Sequence, residues 1–427
     1  VKNITLISLP NPTMTDSKIA PPLGLLYLAA SSRRVNVKVI DLANMDDSSP
    51  LSCLVRLSNE KADLFGVSIA STQIGLAEGV CRALKANNPN TPLIVGGPHP
   101  TTLPGETLKL THADIAVQGE GEQAWSLIIQ GNADYGIYDP PSLMRCDQIK
   151  DLDTIPFPAR ELLDFSRYTR TIAGKPATNM ITSRGCPGEC IFCDQDIWVG
   201  KLRFHSSEYV LQEIDDIRDK TGIDRILFLD DTLTANRERM LEICEGLARR
   251  NVIWRGWTRA DCIDPELLGY MKDSGCYSLC VGIESGSDTI LRNIKKGITV
   301  EQNRQAITYI GAAGIKCRVS IMIGNPGETY ETIEATKQFM VETIPDDWVV
   351  STFIPVVGSP AWRNPSRFGF RILHRNYDDY FVVGYDQQSG LVMELDSISN
   401  EELMRERTSL IEFLEEHCPR KPEEVVQ

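Results

Sequence analysis

No stretch of this 427-residue chain is apolar for long enough to cross a bilayer. A helical span needs about 20 predominantly apolar residues, and the best candidates, such as Leu23–Ala30, are far shorter. Positive charge is in deficit as well. The 44 Lys and Arg residues face 58 Asp and Glu, and the net −14 is spread along the chain rather than held in one acidic tail. That balance repels polyanions, so nucleic acid is a poor substrate and no membrane partner is expected. No G-x-G-x-x-G turn follows the first β-rich run, which disfavours a nicotinamide dinucleotide. No charged-then-apolar leader opens the sequence, so its 12 cysteines are expected in a reducing cytoplasm rather than in disulfides. Nor is there a second C-x2-C pair to complete a structural zinc site.

What is present is a β/α alternation, twice over. A chain of this length exceeds what one core usually supports, so two or three domains are expected. In the first part, Ile4–Leu9, Val35–Leu42, Asp63–Ala70, Leu93–Gly97 and Asp114–Gln118 read as strands. They are near-continuously apolar, as in a sheet buried on both faces. Leu23–Arg34, Leu51–Lys61, Ile74–Asn87 and Glu122–Gln130 read as the helices between them. This is the pattern of a doubly wound parallel sheet, whose ligands bind beyond the carboxyl ends of the strands. A looser stretch from Gly131 to about Thr171, holding Asp139-Pro-Pro141 and Ile155-Pro-Phe-Pro158, reads as a linker.

The second alternation places strands at Asn179–Ser183, Arg225–Leu229, Ile253–Thr258, Ser278–Ile283, Lys316–Ile323 and Trp348–Ile354. Helices are expected at Ser207–Thr221, Arg237–Arg250, Pro265–Ser274, Asp288–Asn293, Val300–Ala313 and Thr329–Glu342. Six βα units predict a partial (β/α)6 TIM-like barrel with its chemistry at the carboxyl ends of the strands. The expected layout is α/β throughout. It runs from a doubly wound domain over 1–135 through a linker over 136–172 to a barrel over 173–360. A small C-terminal region over 361–427 carries the acidic helix Asn400–His417.

The stretch Arg184-Gly-Cys-Pro-Gly-Glu-Cys-Ile-Phe-Cys-Asp194 sets Cys186, Cys190 and Cys193 at C-x3-C-x2-C spacing. Three thiolates so close can take three corners of a cubane iron–sulfur cluster, and the lack of a nearby fourth leaves one iron open to a small molecule. Cys276 and Cys280 flank a predicted helix–strand turn, and the other cysteines are scattered as small buried hydrophobes.

The triplet, with Phe192 before its last cysteine, resembles the signature of the radical S-adenosylmethionine (SAM) superfamily. The resemblance implies a 4Fe-4S cluster on the three cysteines and SAM chelated at the open iron. It also implies reductive cleavage to a 5′-deoxyadenosyl radical that the protein orients and shields. Phe192 matches the residue that packs on the adenine. Phe228-Leu-Asp-Asp231 resembles the segment receiving the SAM ammonium, with Asp230 and Asp231 equal candidates. Gly282-Ile-Glu284-Ser-Gly286 resembles the segment facing ribose and methionine, with Glu284 as the contact. Arg318 and Ser320 are candidates for the SAM carboxylate, and Ile323-Gly-Asn-Pro-Gly-Glu328 resembles the turn near the adenine, with Gly324 at its bend. Each also has a plainer reading: an Asp-Asp pair after a strand suits a helix N-cap, and Arg318 suits a solvated surface. Arg259, in Gly256-Trp-Thr-Arg-Ala-Asp261, is a candidate for the substrate pocket. Tyr377, Tyr380 and Tyr385 are acid–base candidates that nothing in the sequence separates, Tyr377 being taken first.

The first domain resembles the cobalamin-binding domain of the B12-binding class of radical SAM enzymes, a Rossmann-like fold. Pro21-Pro-Leu-Gly-Leu-Leu-Tyr-Leu-Ala-Ala30, Val95-Gly-Gly-Pro-His-Pro-Thr101 and Gly119-Glu-Gly-Glu122 carry the likeness. It implies cobalamin contacts among Ser68, Ser71, Thr72, Gly96, Gly97, His99, Thr101, Gly119 and Glu120. The D-x-H-x-x-G motif that supplies cobalt with a histidine elsewhere is absent, and His99 and His112 stand in other contexts. The implied activity is cobalamin-dependent methylation of an unactivated carbon of a small molecule, with a flavodoxin or ferredoxin as reductant. The alternatives are radical dehydration, deoxygenation, rearrangement or ring formation without cobalamin, a methylthiotransferase, and an iron–sulfur or cobalamin sensor.

Overall fold

The computed structural model describes residues 3–12, 14, 16, 18–32, 35–130, 142–198, 202–380 and 391–421. It divides into two compact units. The first holds Val1–Arg170, Asp196–Arg203 and Asp215–Gly222; the second holds the remainder.

In the first unit, β1 (Asn3–Ser8), β2 (Asn36–Asp41), β3 (Leu64–Ser68), β4 (Leu93–Gly96), β5 (Ile115–Gln118) and β6 (Ser142–Arg145) form one sheet. Its order is β2-β1-β3-β4-β5-β6, and every pair is parallel. The order reverses between β1 and β3, which is the crevice where a doubly wound sheet takes its ligand. Leu6, Ile7, Phe65, Leu93 and Val95 are almost wholly buried, as strands covered on both faces must be. Gly66 lets the covering layer approach: a Cβ there would lie 2.7 Å from Leu6 and 3.0 Å from the Trp125 ring. Trp125 is fixed in turn by donating its indole N–H to Ser32 Oγ at 2.7 Å.

Two expectations need correction. The loose stretch after Gly131 is more than a linker, because it supplies the edge strand β6; Asp139-Pro-Pro141 lies outside the described residues. The connection between β4 and β5 was expected without helices, yet Pro98–Thr102 and Pro104–Thr111 are both helical. Proline in the first turn of a helix gives up an N–H that has no intrahelical partner anyway, so Pro98 and Pro104 start these helices rather than break them.

In the second unit, β7 (Thr178–Met180), β8 (Arg225–Phe228), β9 (Ile253–Thr258), β10 (Cys276–Glu284), β11 (Lys316–Ile323) and β12 (Asp347–Thr352) pair in chain order. All are parallel and alternate with helices, which makes an open, partial (β/α)6 barrel. Asn236 caps the helix Arg237–Ala248, accepting from Arg239 N at 3.1 Å, so Asp231 is not that cap. The acidic helix Asn400–His417 starts at Ser399, which makes a capping box with Glu402. Among the described residues no helix is long and apolar enough to cross a membrane.

Candidate active site

The cysteine loop follows β7 and is stapled from two distant parts of the chain. Ile191 donates its N–H to Ile294 O at 3.0 Å, and Ala361 donates to Ile191 O at 2.9 Å. Val356 N adds a 3.3 Å bond to Phe192 O. These bonds join the loop after the first strand to segments after the fourth and sixth, so the sheet curls and gathers its carboxyl ends. Cys190 is buried, Cys186 half-buried and Cys193 exposed. Cys186 Sγ lies 3.2 Å from Thr232 Oγ1 and receives the Gly188 N–H at 3.4 Å. Among the described residues no group of three or more His, Cys, Asp or Glu converges as on one metal ion. A cubane is held differently, with each thiolate taking its own iron, and three thiols on a short stapled loop suit it.

Two cations stand behind this loop. Burial pushes the Cys190 thiol up; Lys296 and Arg259 pull it down, and Glu284 pushes it up. Arg259 is buried, donates through Nε and Nη2 to Asp261 at 2.9 and 3.0 Å, and gives Lys296 O a 2.8 Å bond. A Cβ at Gly188 would lie 2.7 Å from Arg259 Nη1. Arg259, expected at a substrate pocket, is thus packed beneath the cluster loop.

The structure separates the two aspartates. Asp230 is buried and accepts from Thr182 N, Thr182 Oγ1 and Ser183 Oγ, so it ties the end of β8 to the start of the cysteine loop. Burial raises its pKa against those hydrogen bonds. Asp231 is exposed, and its charge bears on Cys193. Glu284 ends β10 with a left-handed φ of 60° and accepts from Lys296 Nζ at 2.6 Å. Gly324, buried beneath Leu403, bends the next strand end. Beyond it Asn325 N and Nδ2 donate to Glu328, whose carboxyl burial pushes up. Phe192 meets Phe353 edge-on at 6.3 Å.

Two expected SAM contacts lie within a strand rather than at its carboxyl end. Arg318 lies near the amino end of β11 and pairs with Asp347 at 3.3 Å. Ser320 sits in the middle of the same strand. Tyr377 is buried against Tyr380 in the C-terminal region, and Tyr385 lies outside the described residues. Lys296 was missed altogether. It follows Lys295 in an ordinary-looking polar turn, and only the fold shows that it is buried.

At the first sheet's carboxyl ends, Ser68, Ser71, Thr72, Gly96, Gly97, Thr101 and Gly119 do cluster. Thr72 Oγ1 donates to Asn11 Oδ1 across the switch point at 3.3 Å. Thr101 Oγ1 donates to Gly97 O at 2.8 Å and accepts from Gly119 N at 3.2 Å. Gly97 has φ 104°, and a Cβ there would meet Ile69 O and Ser68 Oγ at 3.0–3.1 Å. His99 is fully buried with Nδ1 3.1 Å from Ser71 Oγ, and burial pushes its pKa down to about 4. Glu120, another expected contact, is instead held by Arg203 and by Ile149 N. The remaining small and hydroxyl-bearing strand ends suit a large ligand held by its periphery.

The family profile "Radical SAM superfamily" matches residues 180–340 and "B12 binding domain" matches 15–129. An uncharacterized methyltransferase of Pyrococcus horikoshii is 32% identical, covering 80% of this chain and 78% of its own length. The anaerobic magnesium-protoporphyrin IX monomethyl ester cyclase of Rubrivivax gelatinosus is 27% identical over 78% of this chain and 64% of its own. The fold superposes on the radical SAM methyltransferase TsrM from Kitasatospora setae, solved with cobalamin and a 4Fe-4S cluster. That match has TM-score 0.76 and 16% identity, covering 99% of this chain and 93% of that one. The chain belongs to the radical SAM superfamily, in the class that carries a B12-binding domain. Its cofactors are accordingly a 4Fe-4S cluster, SAM and cobalamin.

Proposed function

We propose that this radical SAM enzyme methylates an unactivated carbon of a small molecule. The supporting observation is an ordered rim. The cysteine loop, Asp231, Glu284 and the Gly324 turn fall at carboxyl ends of parallel strands of one sheet, in a chain that also carries a B12-binding match. When bound, the cluster and SAM supply a deoxyadenosyl radical and cobalamin supplies a methyl group. The chain's part is to hold these ligands. Cys186, Cys190 and Cys193 hold the cluster. Asp231 receives the SAM ammonium through a charge-assisted hydrogen bond, Glu284 faces the ribose and methionine portion, and Phe192 packs on the adenine. Asp230 and Arg259 keep the cysteine loop in place. Residues 1–135, with the edge strand β6 supplied by 136–172, form the cobalamin domain, and 173–360 form the barrel, with 361–427 beyond. The setting is the cytoplasm, and the reductant is a flavodoxin or ferredoxin.

The test is anaerobic reconstitution followed by reduction in the presence of methyl-labelled SAM and candidate small molecules. Formation of 5′-deoxyadenosine, cobalamin absorbance accompanying the cluster, and label in the product are expected. Deoxyadenosine from protein that retains no cobalamin would overturn the methyl transfer and favour dehydration, rearrangement or ring formation. Absence of deoxyadenosine would overturn the enzyme reading.

A further inference from the structure

We infer that Lys296 is a positioning residue that presents Glu284 to SAM and keeps a buried positive charge beside the cluster loop. This rests on Glu284 being a SAM contact and goes beyond it, by naming what aims that carboxylate and couples it to the cluster.

Glu284 is in a conformation that a non-glycine residue avoids, with φ 60°. Such a backbone is strained and persists only where its surroundings over-determine it. Lys296 supplies the restraint. Its ammonium is 2.6 Å from Glu284 Oε1, and both side chains are at least nine-tenths buried. Lys296 is itself clamped, its N–H donating to Leu291 O at 2.9 Å and its carbonyl accepting from Arg259. The strand leaves room for the pair. A Cβ at Gly282 would lie 2.5 Å from Glu284 Oε1 and 2.9 Å from Lys296 Nζ. The register between β10 and β11 also slips between Gly282 and Glu284, a bulge of the kind that re-aims a side chain.

The same residue lies beside the cluster loop. Two positions before it, Ile294 O accepts from Ile191 N at 3.0 Å, next to Cys190, and its own carbonyl accepts at 2.8 Å from Arg259, which packs against Gly188 of that loop. Buried charges are weakly screened, so loss of one cation beside the thiolates makes it harder to add an electron to the cluster. Removing Lys296 would also leave Glu284 buried and unpaired, free to leave its strained conformation.

The experiment uses full-length, reconstituted protein carrying Lys296→Met, Lys296→Arg, Glu284→Gln or the double change Lys296→Met with Glu284→Gln. The SAM dissociation constant and the cluster's midpoint potential, followed by electron paramagnetic resonance, are the readouts. Lys296→Met is expected to weaken SAM binding about tenfold, the worth of one charge-assisted hydrogen bond, and to move the potential negative. Lys296→Arg keeps the charge and should keep the potential. The double variant leaves no charge of the pair unpaired, so it should fold even if Lys296→Met does not, and should bind SAM no more weakly than Glu284→Gln alone. Unchanged affinity and potential in Lys296→Met, or a double variant tenfold weaker than Glu284→Gln, overturns the inference. Undiminished SAM binding by Glu284→Gln overturns the reading of Glu284 as a SAM contact, and the potential of Lys296→Met still decides whether its charge reaches the cluster.

Discussion

The carboxyl ends of the two parallel sheets are built from different materials. At the first sheet, hydroxyls and backbone amides close on one another: Thr72 with Asn11, Thr101 with Gly97 and Gly119, His99 with Ser71. At the second, buried charges do the joining: Asp230 with Thr182 and Ser183, Arg259 with Asp261, Lys296 with Glu284. Apart from Glu120, which Arg203 holds, the first rim is neutral and can seat a large ligand without strong fields. A rim of paired charges fixes a local potential and holds small ionic groups in one orientation. The same topology rule puts both ligands at strand ends, and the side chains then divide binding from chemistry.

The comparison breaks most completely at the cysteines. Replacing Cys186, Cys190 or Cys193 by Ala should abolish the cluster's absorbance and all deoxyadenosine formation while leaving cobalamin retention intact; surviving deoxyadenosine in any one variant would contradict the ligand set. The aspartates come next. Asp230→Ala strips a buried acceptor from three donors and should cost about 3 kcal/mol or more in denaturant unfolding. Asp231→Asn should change stability by no more than about 0.5 kcal/mol, as surface changes do, while weakening SAM binding about tenfold.

On the neutral side, Gly97→Ala puts a side chain against Ile69 O at a positive φ. It should destabilise the fold by about 1–3 kcal/mol and reduce cobalamin retention, with deoxyadenosine yield per cluster unchanged. The last effect is confined to acid pH and concerns His99. Its folded-state pKa near 4 lies below the ordinary 6.5, so between those values the unfolded chain binds the extra proton and stability falls as pH drops. His99→Gln should flatten that acid limb in a pH series of unfolding midpoints, and the cobalamin spectrum should not shift.

Much of this was legible in advance. Strands β9 and β11 have the bounds expected of them from the sequence, and the cysteine spacing announces iron. What stayed hidden depends on packing. A period of two places residues on a face but does not say which of Asp230 and Asp231 turns inward; the donors of Thr182 and Ser183 decide that. Two adjacent lysines look alike until Lys296 is found buried and Lys295 exposed. Arg318 and Ser320 sit on a strand correctly foreseen, but Arg318 is too far from its carboxyl end. The helices over Pro98–Thr111 were hidden by the residues that start them.

The staples on Ile191 carry a consequence for how the protein is made. Its two backbone partners belong to Ile294 and Ala361, so the three thiols leave the ribosome long before the segments that shape their loop. The loop reaches its final form only when synthesis has passed Ala361. A nascent or truncated product that stops short of Ala361 would hold its three cysteines on a loop lacking one of its staples, loose and open to oxidation.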